Sequence, residues 1–278
     1  MRTFSTFLSR LKAHATSFAT AASVLALATG LGLGSAAHAA KPYATEIYSS
    51  AQLRSEAQAC LGLLPQGQLP AVPNAAALRL RPLCSNSFLV LHSSVTRTPV
   101  LAIEKLTREQ LLDAKGEARA DEFFEDPRLK ASERADLSDY RGSGYDRGHL
   151  APAADQPDAT AMAQSFALSN MVPQNPTHNR KVWPKLESDT RKYAQRSAAP
   201  VYVFTGVLFE GEVQKVGSNG VWVPSHLYKL VYDSANQRAW AQVLPNTADA
   251  QLGKPMSYAQ FKQRTGLDIL GQVPVRAN

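Results

Sequence analysis

The feature that most narrows the fold of this chain is a set of short apolar runs kept apart by turn signals. Ser87-Phe88-Leu89-Val90-Leu91-His92 and Pro99-Val100-Leu101-Ala102-Ile103 read as the two strands of a hairpin. Further on, Val201-Tyr202-Val203-Phe204, Val221-Trp222-Val223, Leu227 to Tyr232 and Ala239 to Leu244 are strand-like. Helical signals lie between them. Thr107-Arg108-Glu109-Gln110 has the form of a capping box, a Thr cap with a Gln three residues on. Thr177 to about Arg196 predicts the longest helix, and Ser257 to Thr265 a last short one. Pro127 to Gly144 is polar and reads as a loop. This irregular order, with hairpin-like pairs, predicts an α+β fold: a mixed or antiparallel central sheet flanked by helices.

Residues 1–39 stand apart from that pattern. Arg2, Arg10 and Lys12 give a positive start, an Ala, Val, Leu and Gly run follows from about Ala21 to Leu33, and Ala37-His38-Ala39 closes it. This order predicts a secretory signal peptide, hence a periplasmic or secreted protein with no membrane contact in its mature form. The apolar run is too short for the roughly 20 residues that span a bilayer. Its removal takes away three basic residues and no acidic ones, so the formal net charge falls from +7 to about +4. A mildly basic chain suits a polyanionic partner without identifying one. Cys60 and Cys84 are the only cysteines; with no Cys or His at zinc-finger spacing, a single disulfide is expected. The expected organisation is a signal peptide over 1–39, a Pro-interrupted arm pinned by the disulfide over 40–84, and a catalytic domain over 85–278.

Chemistry is concentrated between Asp139 and Arg191. Asp139-Tyr140-Arg141-Gly142-Ser143-Gly144-Tyr145-Asp146-Arg147-Gly148-His149 crowds a histidine, two arginines and two aspartates around three glycines. Glycines at this density mean a sharply turning backbone or a close approach. Phosphodiester hydrolysis needs a base for water, cations for phosphate and help for the leaving oxygen, and this segment offers the first two. Downstream, Asn179, Trp183, Glu187 and Arg191 are spaced by four, a single stripe on a regular helix. Pro184 interrupts that regularity: either the helix kinks there or it begins only near Trp183.

Asp146-Arg147-Gly148-His149, followed by Asn179 and then Glu187, resembles the DNA/RNA non-specific endonucleases with a ββα-metal finger, whose DRGH motif it carries. Leu150-Ala151-Pro152, Leu168-Ser169-Asn170-Met171-Val172-Pro173-Gln174, Thr205-Gly206-Val207 and Val223-Pro224-Ser225-His226 make it most similar to the endonuclease G branch. The resemblance covers roughly residues 85 to 270. It implies an endonuclease, exported by virtue of the expected signal peptide, that cuts DNA and RNA without strong sequence specificity and leaves 5′-phosphate ends. His149 would be the general base. Asn179 would be the one protein ligand of Mg2+, for which Mn2+ could substitute. Glu187 would orient water around the ion, Arg147 and Arg191 would hold the phosphate, and Asp146 would position the loop. Arg119 sits where the family often has a further phosphate-binding arginine, and Arg141 is a further candidate nucleic-acid contact. Partners would be DNA and RNA, through phosphate contacts; a homodimer is left open.

The chain departs from the family pattern at Arg180-Lys181, where Gln and a small residue are common, and at Pro184. The basic pair is either an extra phosphate contact or a solvated face. His92 and His226 are expected to be structural and His178 to lie at the surface. Two other readings share the catalytic residues: a silent polyanion-binding protein and a small-molecule phosphodiesterase of the same fold. No zinc finger or helix-turn-helix is present in the sequence to read base edges.

Overall fold

In a computed structural model of the chain, residues 55–74 and 76–276 are described; the expected signal peptide and the first part of the expected arm lie outside the described residues. The hairpin foreseen from the sequence is β2 (Phe88–Ser93) and β3 (Thr98–Leu106), with β1 (Leu80–Cys84) added on its outer side. The arm therefore joins the main sheet at its last five residues. A short helical segment, Gln58–Leu63, buries Cys60, which is bonded to Cys84 at the end of β1. α1 (Arg108–Asp113) starts at Thr107, whose side chain accepts from the Gln110 amide while Gln110 returns the bond, so the capping box forms as read. The polar stretch from Pro127 to Gly144 is mostly loop but contains the single turn α2 (Leu137–Tyr140), capped by Asp136 and Asp139.

β4 (Asp146–His149) and β5 (Met171–Gln174) form a separate antiparallel ribbon, with α3 (Ala159–Ser165) in the connection. A π-helical turn, His178–Val182, leads into α4 (Trp183–Ala194), with Pro184 in its first turn, where the missing N–H costs nothing. β6 (Val201–Leu208) follows, then the small pair β7 (Lys215–Val216) and β8 (Val221–Trp222), then β9 (His226–Asp233), β10 (Arg238–Pro245) and β11 (Met256–Ser257). α5 (Tyr258–Thr265) ends at Gly266, which takes the left-handed conformation that closes a helix without side-chain strain. The main sheet has the order β1-β2-β3-β6-β9-β10-β11, antiparallel throughout.

The two faces of this sheet are covered differently. On one, Tyr228 packs on Phe261 of α5, their rings 5.2 Å apart, and directly over Gly206, where a β-carbon would lie 2.3 Å from the phenol. On the other, Val201, Val203 and Val231 meet Ala194 of α4 and Leu111 of α1. By strand alternation Glu104, Thr205 and Lys229 share this second face. All three are fully buried, so the middle of this face is polar where α4 lies over it, with Lys229 Nζ 5.5 Å from the Trp183 ring. No helix among the described residues is long and apolar enough to cross a membrane.

Candidate active site

The β4–β5 ribbon presents the DRGH segment, and its close packing explains the glycine. A β-carbon on Gly148 would lie 2.0 Å from Oε1 and 2.6 Å from Cβ of Gln174, which is fully buried on the facing strand. Gly148 does not adopt positive φ; it is there for space. Just past His149 the chain is fixed by buried Asn170, whose Oδ1 accepts from the Ala151 amide at 3.0 Å. Its Nδ2 donates to the carbonyls of Ala151 and Ser165, both at 2.9 Å. With the Leu150 amide bonded to the Asn170 carbonyl as well, the backbone that carries His149 has little freedom.

An open groove of about 670 Å³ is lined by Asp146, Arg147, His149, Asn179, Glu187 and Arg191, with Arg119 and Arg141 on its walls. These residues are thus brought together. Trp183 is not among them: it is 1% exposed and packs into the core. The π turn has about one residue more per turn than an α-helix. It moves Trp183 off the stripe that regular spacing implied, and Pro184 lines the groove instead. Lys181 is exposed and does not line the groove. Arg180 is also exposed but engaged, donating through Nε and Nη2 to both oxygens of Asp146 at 2.8 and 2.6 Å.

Asp146 also accepts from Asn179 Nδ2 at 2.9 Å. An ionised carboxylate can only accept, so the amide must turn its Nδ2 to Asp146 and leave Oδ1 for another partner. Burial works against the charge on Asp146, but the bonds from Arg180 and Asn179 hold its pKa below the usual value, so it stays ionised. A divalent cation with a large water shell fits this arrangement, since one neutral oxygen and a nearby carboxylate are what such an ion commonly takes from a protein. Among the described residues no group of three or more His, Cys, Asp and Glu could cage one.

His149 lies against two phenylalanines, its ring 5.7 Å from Phe123 and 4.9 Å from Phe166. Burial, with the charge of Arg119 adding to it, pushes the imidazole pKa down to about 3. The ring is therefore neutral near pH 7, and its buried Nε2 has no hydrogen-bond partner among the described residues. Beneath Glu187 lies a charged network that the sequence did not reveal. Arg191 donates to buried Asp155 at 2.7 Å. Lys229 donates to Thr205 at 2.6 Å, and Gln156 to Glu104 at 3.3 Å. Burial pushes the Glu187 carboxyl up to about 7, against the pull of Lys229 and Arg191 and with Asp155 adding to the rise. Burial raises Asp155 and Glu104 as well.

Two histidines depart from expectation. His178 is fully buried, not on the surface: it meets Gln174 at 3.2 Å and stacks edge-on against Trp183. The π turn rotates it inward. His226 is half-buried beside Glu210, 3.3 Å away, at the start of β9 rather than supporting the core. His92 is buried and bonded to the Glu133 carbonyl at 3.0 Å, a structural residue as read. Asn170, Glu104, Asp155, Lys229, Phe123 and Phe166 were missed as contributors to the site. Only Asn170 carried a local signal, its place in the Leu168–Gln174 motif.

A family model described as DNA/RNA non-specific endonuclease matches residues 66–275. Human endonuclease G, mitochondrial, is 38% identical over 171 residues, 58% of this chain and 56% of the human protein. Bovine endonuclease G, mitochondrial, is 34% identical over 244 residues, 74% of this chain and 76% of the bovine protein. Among solved structures, the EndoG/EndoGI complex, described as the mechanism of EndoG inhibition, superposes with a TM-score of 0.63. It is 27% identical, covering 69% of this chain and 86% of that one. The mitochondrial names of these relatives overturn the expectation of a periplasmic or secreted protein. That expectation rested on residues 1–39, which are basic, rich in Ala and Ser and free of acidic residues. Mitochondrial presequences share those traits, so composition did not separate the two destinations.

Proposed function

Because the chain belongs to the DNA/RNA non-specific endonuclease family, whose members are metal-dependent, we propose that it hydrolyses phosphodiester bonds in DNA and RNA without reading sequence. The phosphate enters the groove between Arg147, Arg119 and Arg191, whose N–H groups match its oxygens. Neutral His149 accepts the proton of the attacking water. The water oxygen forms its bond to phosphorus in line with the bond to the 3′-oxygen, which breaks; the 3′-oxygen takes a proton from solvent, leaving a 5′-phosphate and a 3′-hydroxyl. Asn179 Oδ1, with Glu187 close by, would hold a Mg2+ ion, which would supply positive charge for the phosphorane and the leaving oxygen. Asp146 keeps the amide oxygen pointed at that position, and Asp155 keeps the Arg191 guanidinium charged and still. Recognition through phosphate rather than base edges accounts for indifference to sequence and to sugar.

One observation carries this reading: a neutral imidazole shares a groove with an amide oxygen freed by a carboxylate and with several arginines. The test is incubation of the purified protein with supercoiled plasmid and with RNA, in Mg2+ and in EDTA. Cleavage of both in Mg2+ alone is expected, and His149→Ala should reduce the rate by about 10²–10⁴-fold with the thermal midpoint unchanged. Retention of more than about a tenth of the rate in that variant removes His149 as the base. Binding without cleavage by the wild-type protein would make it a silent polyanion-binding member of the family.

A further inference from the structure

The groove contains an alternating stack that no motif announces. The guanidinium carbon of Arg147 sits 4.1 Å over the ring of Phe123, and Phe123 lies against His149. His149 lies edge-on to Phe166, and the guanidinium carbon of Arg119 sits 5.0 Å over Phe166. The two phenyl rings meet edge to face at 5.0 Å. Their backbones are joined as well. Phe124 bridges to Ala167, the Phe124 amide bonds the Phe166 carbonyl at 3.4 Å, and the Leu168 amide bonds the Phe124 carbonyl at 2.8 Å. Phe166 is fully buried, while Phe123 is half-buried on the groove wall.

We propose that Phe123 and Phe166 are positioning residues, which hold the two groove arginines over their ring faces and pack against the imidazole, and so leave N–H donors on both arginines free for a phosphate. The proposal rests on the endonuclease reading above and extends it to residues with no polar atom. A carboxylate holds an arginine through those same N–H groups, so an incoming phosphate must displace it. An aromatic face attracts the cation through its quadrupole and leaves the donors untouched. Arg147 makes no ion pair among the described residues, and its charge rests on the face of Phe123. Arg119 has one further partner: its Nε donates to the exposed Asp121, which leaves its terminal amino groups for the phosphate. Both rings also offset the repulsion between two guanidinium groups that face one phosphate site. The imidazole, which lacks a hydrogen bond at Nε2, takes its orientation from the same rings.

The test uses Phe123, because its exposure lets the ring be changed without opening the core. Affinity for a fluorescein-labelled duplex is read by anisotropy in EDTA, where nothing is cut, with thermal midpoints recorded alongside. Phe123→Leu keeps an apolar side chain of similar volume and should weaken binding by about three- to tenfold, the loss of one cation–π contact. Phe123→Tyr, which restores the aromatic face, should recover most of the affinity. In an Arg147→Ala background the Leu change should cost nothing further, since the partner is already gone. Equal loss in both backgrounds, or Leu binding like the wild type, would overturn the proposal and reduce Phe123 to packing. Phe166→Leu should weaken binding in the wild-type background and not in Arg119→Ala; loss in both overturns the second half. The binding readout stands apart from cleavage. A protein that does not cut plasmid sinks the endonuclease reading, while the affinities still decide the role of the rings.

Discussion

Gly148→Ala adds one methyl group and should disable the site from within the ribbon. The new β-carbon would fall 2.0 Å from Gln174 Oε1, 2.6 Å from its Cβ and 2.9 Å from its Cδ. Real contacts of this kind begin above 3 Å, so something must move. Gln174 is fully buried and held through its side chain to His178; it cannot swing into solvent. The strain must therefore separate β4 from β5, whose register sets Gly148 against Val172 and His149 against Met171. Overpacking of this sort costs about 1–3 kcal/mol, which in a domain of this size lowers the melting midpoint by a few degrees. The loss in rate should be larger, since a displacement of about 1 Å at a base can cost on the order of 10²-fold. Urea unfolding and plasmid nicking measured side by side would show the two effects. Trimming the neighbour should not help: in Gly148→Ala/Gln174→Ala the two β-carbons still meet at 2.6 Å. A Gly148→Ala protein with wild-type rate and stability would refute the steric argument, as would full rescue by the double variant.

Three further outcomes are expected. Asn179→Ala should lose most activity and calorimetric Mg2+ or Mn2+ binding together. Asn179→Asp should keep ion affinity and lose rate, because a carboxylate lowers the ion's effective charge; unchanged affinity and rate in Asn179→Ala would place the ion elsewhere. With His149 shifted down to about 3 and Glu187 up to about 7, the acid limb of the pH–rate profile should follow Glu187. The base is already neutral there, so rate falls as pH drops through 7 and the carboxylate takes up its proton. Glu187→Gln should be slow and flat across that range, and a limb that persists in it would return the titration to another group. Reduction of Cys60–Cys84, which closes a loop with a sequence separation of 24, should lower stability by about 3.5 kcal/mol in the chain-entropy model with little change in rate at 25 °C; an unchanged unfolding midpoint would contradict it.

What could be read along the chain was whatever repeats within a short window. Short apolar runs between turn signals marked β2, β3, β6, β9 and β10, because a strand covered on both faces is apolar at consecutive positions. Thr107 with Gln110 marked α1, because a cap and its reciprocal partner lie three residues apart. The Asp146–His149 segment and Asn179, Glu187 and Arg191 were legible as site candidates from residue type and order, and the groove brings them together. Tertiary structure alone decided the rest. Glu104, Asp155, Glu187 and Lys229 come from β3, the short 3-10 turn Ala153–Asp155, α4 and β9. No local period relates them, and only the crossing of α4 over the sheet makes them one buried charge network. Phe123 and Phe166 looked like ordinary core residues until folding set arginines over their faces. The π turn was invisible too, since spacing by four assumes an unbroken α-helix; the extra residue turned Trp183 and His178 inward and left Asn179, Glu187 and Arg191 in the groove. The physical reason is common to all three cases. Backbone preference acts between neighbours in sequence, whereas charge, burial and ring contacts act between neighbours in space.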